Sequence, residues 1–142
     1  MCNEEKNGNC VCEVVKLILH IQKNRKGKER IIDSCDKPFL GDEVCEEKEN
    51  TRPFVLYTPE GNLWKAFYED KGCVGKSWVF RVEKLDGCCA TLRVLKPCRE
   101  PLCPDTIFDS DTKWVATCSF ITIDLTCACG IQCLKDTFID CL

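Results

Sequence analysis

The chain has 142 residues, 15 of them cysteine, and a formal net charge of −3. A chain of that length forms one domain, residues 1–142, and buries about 68–70 % of its extended surface, so it does not need staples to build a core. The acidic balance argues against a general nucleic-acid binder. No apolar run is long enough to span a membrane, and the start, MCNEEKNGN, has neither the basic nor the apolar region of a signal peptide. The cysteine density therefore points to oxidation, while the N-terminus points to a chain that is not exported by the main route. Thiolates bound to metal in the cytosol, an unconventional way out, or oxidation after the cell has gone would each reconcile the two. The odd cysteine count leaves at least one thiol free, metal-bound or paired with another molecule.

In chain order, residues 1–11 read as a flexible arm bearing Cys2 and Cys10. From Cys12, the residues Val14, Leu17, Ile18 and Ile21 recur at helical spacing, which predicts one amphipathic helix over 12–24. His20 lies beside that stripe and reads as a helix-surface residue. Residues 25–50 read as polar loops, broken by Gly27, Pro38 and Gly41 and carrying Cys35 and Cys45. They hold two runs of opposite sign, Lys23 to Arg30 (KNRKGKER) and Asp42 to Glu49 (DEVCEEKE). Such runs are usually solvated loops, and the sharper alternative is that they steer contacts between copies.

Residues 51–142 read as the β domain. PFVLYT (53–58) and LWKAFY (63–68) flank Pro59-Glu-Gly-Asn62 as a hairpin. Gly72, Cys73 and Gly75 mark a loop. The strongest local signal is VFRVEKLDGCCATLRVL (79–95), two alternating runs around Asp86-Gly87. A three-residue loop, Asp86 to Cys88, sets Phe80 opposite Val94, Val82 opposite Leu92 and Lys84 opposite Ala90. It leaves Arg81, Glu83, Thr91 and Arg93 on the other face, with Glu83 diagonal to Arg93. Lys96 to Asp105 reads as an irregular loop that a disulfide would fix. Trp114 to Thr117 and Phe120 to Leu125 read as two strands or one long one, with Ile121, Ile123 and Leu125 on one face. The fold class is thus mostly β, a small sandwich or rolled antiparallel sheet of about six strands, preceded by one helix.

The thiol spacing excludes much chemistry. No C-x-x-C occurs, which speaks against paired zinc knuckles and against a thioredoxin-like enzyme. The close pairs are Cys10-x-Cys12, Cys88-Cys89, Cys98-x4-Cys103 and Cys127-x-Cys129-x3-Cys133. A C-x-C on a strand sets its two sulfurs about 6.5–7 Å apart along it, which suits thiolate clusters and bonds to a neighbouring strand alike. A cysteine nucleophile with His20 as base lacks anything to orient it. No phosphate loop, dinucleotide fingerprint or H-E-x-x-H is present, so no enzyme, cofactor or metal site is assigned. The contending reading to a structural role is a cytosolic thiolate metal-binding protein.

Adjacent cysteines seldom bond each other, because the ring strains the peptide, so Cys88 and Cys89 are expected to serve different partners. An interchain disulfide needs Cα atoms about 4.4–6.8 Å apart, a condition met most easily where backbone adjusts. Cys2, Cys10, Cys12, Cys35 and Cys45 are therefore the interchain candidates. Cys88, Cys89, Cys98, Cys103, Cys127, Cys129 and Cys133 are the intrachain candidates.

Several pieces carry a resemblance. They are Cys10-Val-Cys12-Glu-Val-Val15, Pro38-Phe-Leu-Gly41, Asn50 to Thr58 (NTRPFVLYT), Ala66-Phe67, Phe80 to Lys84 with Cys88 to Leu95 (CCATLRVL), and Ile121 to Leu125 followed by Cys127-x-Cys129-x-Ile131-Gln-Cys133-Leu134. Together they resemble the CotY/CotZ family of spore coat proteins, which includes related exosporium proteins. Family members often carry a Cys directly before the I-T-V-D-L strand, where this chain has Phe120, with Cys118 two residues earlier. The connection from Lys96 to Lys113 is this chain's own, and Cys141 extends the tail.

The resemblance implies a structural protein of the spore coat, crust or exosporium. Such a protein assembles with copies of itself, and beside other coat or exosporium proteins, into a two-dimensional hexagonal lattice hardened by disulfides. It implies synthesis in the mother-cell cytoplasm without a signal peptide, with oxidation following as that cell lyses. It implies neither nucleic-acid binding nor membrane insertion.

Overall fold

The computed structural model describes residues 9–31, 49–98, 107–108, 112–140 and 142, with helix side chains described as far as Asn24. The helix α1 spans Cys10–Ile31, longer at both ends than the predicted 12–24. Asn9 is the reason at the start. Its side-chain oxygen accepts the Cys12 N–H at 2.9 Å and its carbonyl accepts the Glu13 N–H at 3.0 Å, so it caps the helix and Cys10 belongs to the first turn rather than to the arm. At the other end, Gly27 costs a helix about 1 kcal/mol, too little to stop it. The buried stripe is Val11, Cys12, Val15, Ile18 and Gln22, while Leu17 is 53 % exposed. The stripe is thus rotated from the expected one. Residues 32–48, with Pro38 to Gly41, Cys35 and Cys45, lie outside the described residues, as do Cys2, Cys103 and Cys141.

Seven strands follow: β1 Phe54–Tyr57, β2 Ala66–Asp70, β3 Cys73–Ser77, β4 Val79–Asp86, β5 Cys89–Pro97, β6 Trp114–Asp124 and β7 Gly130–Cys133. Five form an antiparallel sheet in the order β6-β5-β4-β1-β7, and β2 and β3 form a separate pair. The mostly-β fold with one N-terminal helix is as the sequence predicts. One face of the large sheet presents Phe54, Leu56, Phe80, Val82, Ala90, Leu92, Val94 and Ile123 to the helix stripe and to Ala66 and Tyr68 of β2. The other face buries Val55, Val79, Leu95 and Trp114 against Ile107 and Ile139.

The expected β1–β2 hairpin is only begun. Tyr57 bridges Leu63, and the Trp64 N–H reaches the Leu56 carbonyl at 2.8 Å, but the chain then leaves the sheet and β2 pairs with β3. Residues read as a loop, Cys73 to Ser77, are therefore a strand. Its turn is Lys71-Gly72, both at positive φ, 55° and 83°, the primed geometry that matches strand twist. Gly75 faces Tyr68, whose ring lies where any Cβ would stand, 2.5 Å away. That close approach is why a glycine sits inside a strand.

The central hairpin β4–β5 keeps the expected pairs Phe80↔Val94 and Val82↔Leu92. Beyond them the register slips, giving Lys84↔Thr91, Leu85↔Ala90 and Asp86↔Cys89. The loop is therefore the two residues Gly87-Cys88, with Gly87 at φ 64°, and the extra residue is a bulge at Glu83. A bulge reverses the alternation, so Leu85 joins the core and Lys84 faces water, opposite to the sequence reading.

β1 meets β4 at a single register pair, Phe54↔Phe80, so the strands part on either side of it. Gln22 of α1 fills the gap. Its amide donates to the Val82 carbonyl and accepts the Arg52 N–H, both at 3.1 Å. Replacing Gln22 with Leu leaves both backbone groups unmatched. An unsatisfied buried group costs about 1–3 kcal/mol, and urea unfolding of Q22L is expected to show a loss of at least that size.

Candidate functional site: the surface thiols and the hairpin they surround

The sheet fixes where the sulfur goes. Cys12, on the buried stripe of the first helical turns, is bonded to Cys88 in the β4–β5 loop, with Cα atoms 5.5 Å apart. Cys12 was expected to link chains, and its burial at 2 % exposure explains why it bonds inward. Cys129 is also disulfide-bonded. Seven further cysteines, Cys10, Cys73, Cys89, Cys98, Cys118, Cys127 and Cys133, carry free thiols, and every one is exposed. Four of these, Cys89, Cys98, Cys127 and Cys133, were expected to bond within the chain.

Strand geometry explains the exposure. Cys89 is flanked by Asp86 on β4 and Asp124 on β5's other neighbour, β6, a polar row on the face away from the helix. Cys118 is pushed out by an irregularity in β6, where Arg93 pairs Phe120 but Leu95 pairs Ala116. The Thr117 hydroxyl donates to the Val94 carbonyl there, at 2.7 Å, and accepts the Ser119 N–H at 3.1 Å. Cys133 ends β7 opposite Phe54. Burial pushes its thiol up, with Arg52 pulling it down and Asp136 adding to the rise, so it carries less thiolate at neutral pH than an ordinary cysteine and is a poorer nucleophile.

Beside the thiols, the expected Glu83–Arg93 diagonal is present. Glu83 takes Arg93 at 2.9 Å and Arg81 at 2.8 Å, so one carboxylate neutralises part of two guanidinium charges. Arg93 also donates to the Thr117 carbonyl at 3.1 Å and stacks over Phe120 at 4.7 Å. Alternation ahead of the bulge puts Arg81, Glu83 and Arg93 on one face, with Arg81 paired directly to Arg93. Elsewhere Arg52 and Asp136 form a two-bond ion pair at 2.7 and 2.9 Å, which raises the Arg52 pKa. Lys96 pairs with Asp70 and holds its carboxyl below the usual range. These groups are structural ties, and Arg52 and Asp136 also line a small cavity of about 80 Å³ together with Ile21, Gln22 and Asn50.

A family model for spore coat protein Z matches residues 1–136. The chain belongs to the spore coat protein Z family. It is 30 % identical over 145 residues to spore coat protein Z of Bacillus subtilis strain 168, an alignment covering 96 % of this chain and 95 % of that one. No solved structure matches it. The family match covers residues 10–135, where the recognisable sequence pieces lie.

Two features of this spore coat protein bear on other chemistry. His20 is exposed on α1, its Nε2 2.9 Å from the Asn24 amide nitrogen. Among the described residues no group of three or more His, Cys, Asp and Glu converges as metal ligands would. No described helix is long and apolar enough to cross a membrane.

Proposed function

We propose that the chain is a structural, non-catalytic component of the spore's outer layers that assembles with copies of itself, beside other coat or exosporium proteins, into an ordered two-dimensional, hexagonal sheet hardened by interchain disulfides. The observation that carries this reading is the division of labour in the chain. Two apolar clusters of ordinary size fill both faces of the sheet, while the free thiols named above all stand at the surface. Sulfur placed outside a self-sufficient core is available to join molecules rather than to hold one together. Synthesis in the mother-cell cytoplasm keeps such thiols reduced until that cell lyses. Cys2, Cys10, Cys35 and Cys45, in the first 45 residues, are part of the proposed interchain set, and Cys12 is not.

Purified protein tests this directly. Electron microscopy is expected to show ordered sheets both with and without reductant, and only the oxidised sheets are expected to survive hot detergent. Metal analysis beside a free-thiol count separates the contending class. Stoichiometric zinc on reduced thiols, with no sheets, would overturn the structural reading in favour of a thiolate metal-binding protein.

A further inference from the structure

The exposed thiols are not spread evenly over the molecule. Three gather at the tip of the β4–β5 hairpin. Cys89 follows Cys88 directly, Cys10 lies two residues before its disulfide partner Cys12, and Cys127 closes the 3-10 turn Leu125–Cys127, whose Leu125 N–H donates to the Cys88 carbonyl at 2.8 Å. Three others lie toward the opposite end. Cys98 leaves the far end of β5, its N–H bonded to the Lys113 carbonyl at 2.8 Å. Cys73 pairs with Asp70, which is held by Lys96 at that same end of β5. Cys118 precedes Ser119, whose hydroxyl accepts the Glu69 N–H at 3.2 Å beside that β2–β3 turn.

Cys89 and Cys98 stand at the two ends of one strand. Nine residues of extended chain span about 30 Å, whereas a disulfide needs Cα atoms within about 4.4–6.8 Å. A single point of contact with one neighbour therefore reaches only one group. The geometry points to two separate cross-linking poles on each chain, Cys10, Cys89 and Cys127 at one end and Cys73, Cys98 and Cys118 at the other, each taking a different copy of this chain as its partner. One pole alone, joined to the same pole of a second copy, closes a pair and stops. Two poles make every chain a covalent link between neighbours, so bonds propagate through the sheet.

This rests on the self-assembly proposed above and adds the location and number of the links. Each link forms when one thiolate displaces a small thiol from a low-molecular-weight disulfide and the neighbouring chain's thiolate then displaces the protein-bound half. Two protein S–H bonds are lost, one protein S–S bond forms, and two small thiols leave with the two protons and two electrons.

The test mixes equal amounts of reduced protein with natural nitrogen and reduced protein labelled with nitrogen-15, allows assembly, and images it before oxidised glutathione is added. Disulfide-linked peptides are then identified by mass spectrometry, and pairs of mixed isotope report bonds between chains. Mixed pairs are expected from both poles. The variants Cys10→Ser/Cys89→Ser/Cys127→Ser and Cys73→Ser/Cys98→Ser/Cys118→Ser are each expected to keep mixed pairs from the intact pole and to shift the species on a non-reducing gel to smaller sizes than the parent protein gives. Mixed pairs confined to one pole, or to cysteines outside both, would overturn the two-pole arrangement while ordered sheets in the earlier image left self-assembly standing. No sheets in that image would overturn self-assembly itself, and the two-pole proposal with it.

Discussion

Replacing Cys12 and Cys88 together with alanine is expected to leave the far-UV circular dichroism unchanged and to lower the free energy of unfolding by about 2–4 kcal/mol. The size follows from the loop that the bond closes. With the two cysteines separated by 76 positions in sequence, the chain-entropy model gives about 4.5 kcal/mol, and measured bridges usually deliver less. The fold survives because the helix has other holds on the sheet. Val11, Val15 and Ile18 are almost wholly buried against it, and Gln22 ties α1 to both Val82 and Arg52. Alanine is the right replacement, since a serine hydroxyl at the buried Cys12 position would add a polar group without a partner. Urea unfolding followed by circular dichroism checks the prediction. A spectrum collapsed to coil in the absence of urea would mean that sulfur, not the core, holds the molecule together.

That question was partly answerable from the sequence. Alternation made the β4–β5 hairpin legible down to the pairs Phe80↔Val94 and Val82↔Leu92, and it identified the Glu83–Arg93 contact. It failed one residue later, because a bulge inserts a residue without changing composition, and Lys84 and Leu85 exchanged faces. A hint was present, since Leu85 is the apolar residue of the two. The helix was found from its periodicity, yet its stripe was rotated because Leu17 and Ile18 are equally apolar and only packing distinguishes them. β3 was missed for a plain reason. Cys-Val-Gly-Lys-Ser has little β propensity, and its glycine is tolerated only because Tyr68 covers it. The partner of β1 was also beyond local reading. β1 pairs with β7 over four residues, and such pairing across most of the chain depends on tertiary packing.

The same limit applied to the thiols. Spacing rightly kept Cys88 from bonding Cys89, but the bond from Cys88 to Cys12 joins a helix to a hairpin tip, and no short-range rule reports it. The backbone-freedom argument assigned Cys12 to interchain bonding because it ignored the helix's buried side. It also placed Cys89, Cys127 and Cys133 inside the chain because strands were equated with fixed partners, and Cys98 because its loop was read as one that a disulfide would fix. A strand has two faces and two ends, and these thiols occupy the open ones.

Phe80→Ala is expected to be more damaging than loss of the Cys12–Cys88 bond, costing about 3–5 kcal/mol. Phe80 has no exposed surface and lies between Phe54 on β1 and Val94 on β5. Its pair with Phe54 is where the β6-β5-β4 half of the sheet is registered against the β1-β7 half. Truncation therefore leaves a cavity under α1 and loosens the narrowest join in the sheet at the same time. Domains of this size are stable by about 5–15 kcal/mol in total, so the loss is a large share of what the molecule has. Phe67, 60 % exposed on β2, provides the contrast, and F67A is expected to change stability by no more than about 0.5 kcal/mol. All three variants are to be unfolded in urea under identical redox conditions. If F80A proves less destabilising than the Cys12→Ala/Cys88→Ala pair, the order of importance is reversed and the fold is one that sulfur holds together.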